Sequence, residues 1–351
     1  MKARTKISWS DFTLNPWEGC TKVSAGCRFC YAENRNQRYA AGVNWGAGAP
    51  RRKSLHAVAD LATINRRFGP GGDLRLLEDN ETFERWIDGK EPAPQGTITP
   101  PHVVDTCRCV KPQVFSLSLG DILDPEIPAD WLAEWLCAIA AAPHLEFLLL
   151  TKRPELFWKR MDAAWLTATT DAQQTAVAAV FNTGLPNVAW GTSVEDAVNR
   201  PRVLGLSEIP AAARFISCEP LLGDPQLWKS LTEIETGKIN LVITGGESGT
   251  QARAMHPAWL DSIQRDCEEF EIPHHFKQWG TWAPAATVTQ DDNQANPGNQ
   301  LWLLQDGTVE AAGSETRAAS AVLMHRAASK TAVKPLIKGI TQQPRLVFPK
   351  P

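Results

Sequence analysis

The sequence predicts an α/β protein whose core is a parallel sheet rolled into a partial (β/α) barrel. Six short apolar runs, each ending in a polar or glycine-rich turn, follow one another along the chain. Amphipathic helical patterns separate most of these runs, and buried strands that alternate with helices are typical of parallel sheets. The 351 residues are enough for one such barrel with insertions. An open doubly wound sheet is the alternative.

The elements of the predicted barrel follow in chain order. Helical patterns cover 129–142, after the first apolar run, and 257–270, after the fifth. Residues 41–110 are rich in Gly, Pro and Arg, which predicts an irregular insertion after the first barrel unit. The barrel with its insertion is predicted over 1–285. The strands are predicted at 114–119, 146–150, 188–191, 214–217, 241–244 and 274–276.

A small C-terminal extension is predicted over 286–351. It begins with a polar loop at 287–299 and continues with a strand at 302–305 (WLLQ). A turn at 306–307 (DG) follows, and a helix is predicted around 318–329.

Composition and charge restrict the class of protein. The chain has no apolar stretch long enough for a membrane span, and its first ten residues lack the apolar region of a signal peptide. Eight cysteines are too few for a disulfide scaffold, which indicates a reducing cytoplasm. The first 70 residues hold 12 Lys/Arg and 4 Asp/Glu, although the whole chain has a net charge of −3. A basic end on an acidic body can steer an anionic partner such as DNA, or can be a solvated surface.

Polar residues gather where the predicted strands end. In parallel α/β folds this edge of the sheet carries the binding site, so we expect a polar cofactor pocket there. Some of these residues can instead cap the following helices. The candidate residues are Ser116, Ser118, Asp121, Thr151, Lys152, Arg153, Ser193, Glu195, Glu219, Gly245, Gly246, Glu247, Lys277 and Gln278.

Three of the eight cysteines lie within eleven residues, with the spacing C-x6-C-x2-C: Cys20, Cys27 and Cys30. A structural zinc site takes four ligands, and only His56 or Cys107 could supply the fourth from a distance. A [4Fe–4S] cluster held by three thiolates leaves one iron open for an exogenous ligand. In radical S-adenosylmethionine (SAM) enzymes that ligand is the methionine part of SAM. The spacing differs from the C-x3-C-x2-C that is commoner in these enzymes. Three thiolates followed by a predicted barrel nevertheless favour a cluster, with zinc or plain thiols as alternatives.

Seven motifs resemble a phage-associated three-cysteine-motif family that is regarded as a branch of the radical SAM enzymes. They occur in order over most of the chain. The motifs are TKISW (5–9), NPWEGCTKVS (15–24), GCRFCYAE (26–33), LTKRP (150–154), CEPLLG (218–223), GGESG (245–249) and KQWG (277–280).

The resemblance implies a cofactor set and a place for each group. It puts a [4Fe–4S] cluster on the three cysteines of the loop and implies SAM beside it, with Phe29 shielding the cluster near the adenine. Glu247 is a candidate for the SAM ammonium group because a carboxylate accepts its hydrogen bonds. Ser116, Ser118 and Asp121 are the alternatives for that contact. The remaining strand-end residues are candidates for SAM or substrate.

The resemblance also implies a reaction on DNA. It implies an isomerase of thymidine hypermodification that moves a glycyl group from nitrogen to carbon attachment on thymine and so protects phage DNA from restriction. The partners are then DNA carrying a modified base, flipped out of the duplex, and a reducing electron donor. Lys277 is predicted to bind a carboxylate, phosphate or base edge, and Cys218 to donate a hydrogen atom. Nucleobase repair, modification of a peptide or small molecule, and a zinc-stabilised binding module are the alternatives.

Two features depart from the family pattern. The C-terminal pattern is blurred over 329–339, and Cys218 stands where leucine or a similar residue is usual. These departures allow a different substrate. Cys107 and Cys109 lie in the insertion, where we expect unligated thiols.

Overall fold

A computed structural model describes residues 5, 7–69, 111–287, 299–311, 320–326, 346 and 348. Cys107, Cys109, most of the predicted polar loop and the two ends of the predicted C-terminal helix lie outside these residues. The helices are α1 (Tyr31–Ala40), α2 (Ala57–Arg67), α3 (Ala129–Ala140), α4 (Phe157–Thr167), α5 (Asp171–Asn182), α6 (Arg202–Ser207), α7 (Trp228–Leu231) and α8 (Pro257–Glu269). The strands are β1 (Phe12–Leu14), β2 (Trp17–Glu18), β3 (Arg52–Lys53), β4 (Gln113–Ser116), β5 (Glu146–Thr151), β6 (Val188–Ser193), β7 (Ala213–Cys218), β8 (Leu241–Gly245), β9 (His274–Gln278), β10 (Trp282–Pro284), β11 (Gln300–Leu303), β12 (Val309–Ala311) and β13 (Val322–Arg326).

The central sheet has seven parallel strands in the order β1-β4-β5-β6-β7-β8-β9. Each strand therefore lies beside the preceding strand of this sheet in the chain. Parallel crossovers are right-handed, so a sheet wound in one direction carries its helices on one face and curls around the other. This is the half-barrel that the sequence predicts, and the order excludes the doubly wound alternative. All six predicted strands are present, and β1 is an additional first strand.

The two faces of the sheet carry different apolar layers. Alternate residues of each strand point to opposite faces. One set, which includes Phe147, Trp190 and Ile216, packs under the helices in the main core. The other set fills the concave face, where Trp9 lies against Phe115 and Phe215 with ring centroids 4.6 and 6.1 Å away. The amino-terminal half of the barrel is thus filled by apolar side chains.

Two sequence predictions need correction. Part of the predicted irregular insertion is ordered, because β3 pairs with β2 and α2 buries Ala57, Leu61 and Ile64 in the main core. The predicted C-terminal helix is wrong over Val322–Arg326, which forms β13 between β10 and β11. The apolar residues there suit a helix or a strand equally in a short run, and pairing with two neighbours selects the strand. The predicted strand at 302–305 and its turn are confirmed as β11 and the connection to β12.

Among the described residues no helix is long and apolar enough to cross a membrane.

Candidate functional site

The three-cysteine loop lies between β2 and α1. Cys20 follows β2, Cys27 ends a 3-10 turn (Ala25–Cys27), and Cys30 precedes the first residue of α1. All three thiols are free and half-buried. Gly19 has φ +119°, and a Cβ there would lie 2.3 Å from the Asn44 carbonyl oxygen, so only glycine fits before the first cysteine.

Hydrogen bonds fasten this loop over the carboxyl edge of the half-barrel. The Asn15 side chain donates to Ser118 Oγ (3.2 Å) and accepts from the Leu119 amide (2.9 Å) after β4. The Tyr31 hydroxyl donates to the Ser118 carbonyl. On the opposite side, Ser24 Oγ donates to Glu195 Oε1 after β6 at 2.7 Å. The sequence thus brings its cysteine motif to the edge of the sheet where the polar strand ends gather.

Arg153 connects β5 to the first cysteine. Its two terminal nitrogens lie 3.7 and 3.8 Å from Cys20 Sγ, and one of them donates to the Thr21 carbonyl at 2.6 Å. Asp121 fixes the same guanidinium from the other side at 2.8 Å. Asp121 also accepts hydrogen bonds from Thr151 Oγ1 and from the Lys152 amide. This carboxylate is saturated by protein donors, so it positions Arg153.

Glu195 lies under the loop as a fully buried carboxylate. It faces Lys152 Nζ at 3.2 Å and Arg202 Nη1 at 2.8 Å, and its side chain is 0% exposed. Burial disfavours the charged form, but the two cations and the Ser24 hydrogen bond hold the pKa of Glu195 below its ordinary value. A Cβ on Gly26 would lie 2.4 Å from Glu195 Oε1, so the loop backbone rests directly on this carboxylate.

A second charged pair lies at the ends of β7 and β9. Lys277 Nζ donates to Glu219 Oε1 at 2.7 Å, and Ser217 Oγ donates to Glu219 Oε2 at 3.3 Å. Gly245 of β8 lies between the two strands, and a Cβ there would be 2.7 Å from Glu219 Oε1. Ser193 of β6 pairs in register with Ser217, and its buried hydroxyl has no partner among the described residues. Carboxylates, cations and hydroxyls therefore alternate around the mouth of the half-barrel.

Glu247 and Arg253 clamp the far side of the loop. Both Glu247 oxygens accept from the Arg253 guanidinium, at 2.6 and 2.9 Å. Arg253 also donates to the Ala25 carbonyl at 3.0 Å and lies 5.2 Å from the centroid of the Phe29 ring. Phe29 of the loop therefore lies against a cation, and its role as a shield for the cluster stays a prediction. The Arg253 guanidinium also gives both Glu247 oxygens a protein partner, and the role of Glu247 as the acceptor for a SAM ammonium group stays a prediction.

Three further predicted residues do not face the mouth of the half-barrel. Ser116 points into the helix layer, where its Oγ accepts from Trp135 Nε1 at 3.0 Å. Thr151 is buried and its Oγ1 accepts from the Arg153 amide, so it supports Arg153 rather than a ligand. Cys218 is fully buried in the main core on the helix side of β7, which contradicts its role as a hydrogen-atom donor. Successive side chains of a strand point to opposite faces of the sheet, so the position of a residue in its strand decides which face it presents. The sequence alone does not reveal that position.

The two glycines at 245 and 246 are required for different reasons. A Cβ on Gly246 would lie 1.8 Å from the Trp279 carbonyl oxygen, so backbone packing requires glycine there. Gly245 instead keeps the space beside Glu219 open. The Gln278 side chain donates to the Gly246 carbonyl at 2.8 Å and helps to hold the end of β8 against the end of β9. Gly246 therefore has a packing role, and Gly245 lies beside the Glu219 carboxylate of the candidate site.

Some site residues escaped the sequence analysis. Arg202 and Arg253 belong to no strand end, and Ser24 and Asn15 were seen only as parts of motifs. One signal was available for Arg253, which comes six residues after Glu247 in the same loop. Arg202 begins α6, and nothing in its local sequence shows that it reaches back to Glu195.

The donor set of the loop fits a [4Fe–4S] cluster. Burial raises the pKa of the Cys20 thiol to about 12, with Asp121 adding to the rise, and burial also raises the pKa of Cys30. A bound metal deprotonates such thiols. Within the described residues, no three His, Cys, Asp or Glu side chains are placed to ligate a single ion. A [4Fe–4S] cluster is held by cysteine thiolates, and three of them leave one iron open for another ligand.

Five basic residues of the N-terminal region form ion pairs in the fold. Lys22 pairs with Glu33, and Arg35 and Arg52 both pair with Glu18. In addition, acidic residues from the body of the chain pair with this region: Arg51 with Asp124 and Glu126, and Lys53 with Glu134. The excess of Lys and Arg counted along the sequence is therefore not a free cationic surface over these residues.

Comparison with known proteins gives a family and distant structural relatives. Spore photoproduct lyase complexed with dinucleoside spore photoproduct is 9% identical, with a TM-score of 0.37. A cysteine-to-serine mutant of that lyase is 10% identical, with a TM-score of 0.38. A double mutant with bound AdoMet and dinucleoside spore photoproduct is 9% identical, with a TM-score of 0.35. Each match covers 93% of this chain and 71% of the other.

These TM-scores are too low for the matched structures to indicate a function for this chain. No curated protein matches the sequence. The resemblance to the phage-associated three-cysteine family stays a prediction. A family model matches residues 4–332, so the chain belongs to the family described as "Protein of unknown function (DUF5131)".

Proposed function

We propose that this chain is a radical SAM enzyme that holds a [4Fe–4S] cluster on Cys20, Cys27 and Cys30. One observation carries the proposal: a loop with three free, half-buried thiols is fastened over the carboxyl edge of a parallel half-barrel. That edge is where parallel α/β folds bind their ligands. When bound and reduced, such a cluster supplies the reductive cleavage of SAM and a radical that abstracts hydrogen from the substrate.

The protein contributes position and exclusion of water. Arg153, Glu195 and the Glu247–Arg253 pair each hold the loop at a different point. The aromatic plug of Trp9 and Phe215 closes the barrel from below. The predicted SAM contacts that we retain are Ser193, Lys152 and Gly245 at the strand ends and Ser118 beside the loop.

We further propose that the Glu219–Lys277 pair faces the substrate, a thymine in DNA that carries an amino-acid group. The pair presents a carboxylate and an ammonium group side by side, with 14% and 29% of their side chains exposed. This arrangement complements a glycyl group, which carries a nitrogen and a carboxylate. Abstraction of a hydrogen beside that nitrogen gives a stabilised carbon radical, which suits transfer of the group from nitrogen to carbon attachment. The base would reach the site by flipping out of the duplex.

The first experiment tests the cluster. The full chain is reconstituted anaerobically with iron and sulfide, then supplied with SAM and a strong reductant. We expect the broad visible absorption of an iron–sulfur centre and formation of 5′-deoxyadenosine. Cys27→Ala should lose both signals, whereas Cys137→Ala, which removes a half-buried thiol on α3, should keep them. Binding of one zinc ion with no 5′-deoxyadenosine would instead establish the zinc-stabilised module.

The second experiment tests the substrate. DNA with glycyl-modified thymine and unmodified DNA are incubated with the loaded enzyme, and their nucleosides are separated by chromatography and mass spectrometry. An isomerase changes the retention of the modified nucleoside without changing its mass. Unchanged retention with active SAM cleavage rejects the isomerase and leaves the radical SAM assignment in place.

A further inference from the structure

Arg153 is a buried cation in direct contact with the sulfur of one cysteine of the loop. Its Nη1 and Nη2 lie 3.7 and 3.8 Å from Cys20 Sγ, within hydrogen-bonding reach of a sulfur acceptor. Its side chain is 5% exposed. The other two cysteines have weaker neighbours: Ser24 Oγ lies 3.7 Å from Cys27 Sγ, and Cys30 accepts from backbone amides at the start of α1.

The surrounding residues hold this guanidinium in a single orientation. Asp121 pairs with Nη1 at 2.8 Å, and the Thr21 carbonyl accepts from Nη2 at 2.6 Å. Asp121 itself is fixed by Thr151 Oγ1 at 2.7 Å and by the Lys152 amide at 2.9 Å. A planar guanidinium loses little freedom when it is held in this way. The LTKRP motif therefore builds a rigid support whose last charged residue points at Cys20.

We propose that Arg153 is a positioning residue that raises the reduction potential of the cluster by hydrogen-bonding the Cys20 sulfur. This inference rests on the proposed function, since it requires a cluster at Cys20. Cluster potentials depend on net charge, burial and hydrogen bonds to the sulfurs. One added electron makes the cluster more negative, and a fixed cation beside a ligand sulfur stabilises that state.

Removal of Arg153 has two electrostatic consequences for Cys20. The cation is lost, and the buried carboxylate of Asp121, which lies in electrostatic range of Cys20, loses its partner. Both changes disfavour the reduced cluster. We therefore expect the ratio of reduced to oxidised cluster at a fixed potential to fall about tenfold in Arg153→Gln, which is 59 mV for a one-electron couple.

The test is a potentiometric titration of the anaerobically reconstituted full chain, followed by the electron paramagnetic resonance of the reduced cluster. Arg153→Gln is compared with wild type and with Arg214→Gln. Arg214 is also partly buried, but it lies near the amino-terminal end of β7 and donates to the Ile209 carbonyl. We expect a lower midpoint potential in Arg153→Gln and an unchanged one in Arg214→Gln.

A second variant keeps the proposal testable if Arg153→Gln does not fold. Arg153→Lys retains the charge for Asp121, but an ammonium group cannot also bridge Cys20 and Thr21 with a planar fork. Its midpoint should lie below that of wild type and above that of Arg153→Gln. Wild-type midpoints in the Arg153 variants that fold overturn the inference and leave the proposed function intact. Failure of wild type to assemble a cluster overturns the proposed function first.

Discussion

One methyl group at Gly26 is the sharpest test of how the cysteine loop is seated. A Cβ built there lies 2.4, 2.6 and 2.8 Å from Oε1, Cγ and Cδ of Glu195. All three distances are shorter than real contacts allow, so either the loop or the carboxylate has to move. Glu195 cannot move freely, because Ser24, Lys152 and Arg202 hold it at 2.7, 3.2 and 2.8 Å.

The structure sets the size of the effect. Overpacking of a filled interior costs about 1–3 kcal/mol, and loss of a partner from a buried ion pair costs roughly 3–5 kcal/mol. Gly26→Ala should meet the first cost in full and part of the second, so we expect ~2–4 kcal/mol of destabilisation. The iron content after reconstitution should fall as well, because the alanine lies between two proposed ligands, Cys20 and Cys27.

Thermal unfolding and iron analysis of the same preparations measure the two effects. Gly205→Ala is the matched control: it lies in α6, and its Cβ would first meet the Pro154 side chain at 3.3 Å. Alanine also gains about 1 kcal/mol of helix propensity over glycine, which offsets that mild contact. If Gly26→Ala equals wild type in stability and iron content, the loop does not rest on Glu195 and the seating described above is refuted.

Three other predictions follow from the site and the fold. Arg253→Gln should lower iron content, because it releases the Ala25 carbonyl and Phe29, and should also lower stability, because the buried Glu247 carboxylate loses its cation; equal iron content in both proteins contradicts this. Lys277→Met should retain SAM cleavage without substrate but lose turnover of glycyl-modified DNA, measured as nucleoside product per 5′-deoxyadenosine; retained turnover removes the pair from the substrate site. Burial and the neighbouring His275 lower the pKa of His274 to about 4, so the unfolded chain binds a proton there near pH 6.5 while the folded chain stays neutral. Stability should therefore fall by about 2–3 kcal/mol as pH drops from 6.5 to 4, and His274→Gln should flatten this dependence in denaturant titrations.

The sequence predicts the barrel well because its signals are local. Runs such as 146–150 and 241–244 are apolar throughout and end in polar turns, so each is recognisable without knowledge of its neighbours. The strand Phe12–Leu14 gives no such signal, because only three residues pair and its partner β4 lies about a hundred residues later. In the same way, Val322–Arg326 becomes a strand only through its pairing with β10 and β11.

The site is less predictable because it depends on which face each strand end presents. Ser116 and Ser193 both end a strand, yet Ser116 binds Trp135 in the helix layer while Ser193 lies in register with Ser217 at the mouth. Composition cannot separate the two. A one-residue change of phase moves a side chain to the other face of the sheet. The cysteines avoid this uncertainty, since they belong to one short loop before α1 and not to a strand whose phase decides the direction of a side chain.

The charge counted along the sequence also differs from the charge that the fold leaves unpaired. This difference bears on the proposed DNA substrate. The excess of Lys and Arg in the first 70 residues suggests a phosphate-binding surface. The fold pairs Arg51 with Asp124 and Lys53 with Glu134, so acidic residues of the body neutralise part of the basic end. If the proposed DNA substrate is correct, its recognition should depend less on these basic residues than on contacts with a flipped base. In the proposed function the weight of specificity would fall on the ion pair of Glu219 and Lys277, whose side chains are partly exposed at the ends of β7 and β9.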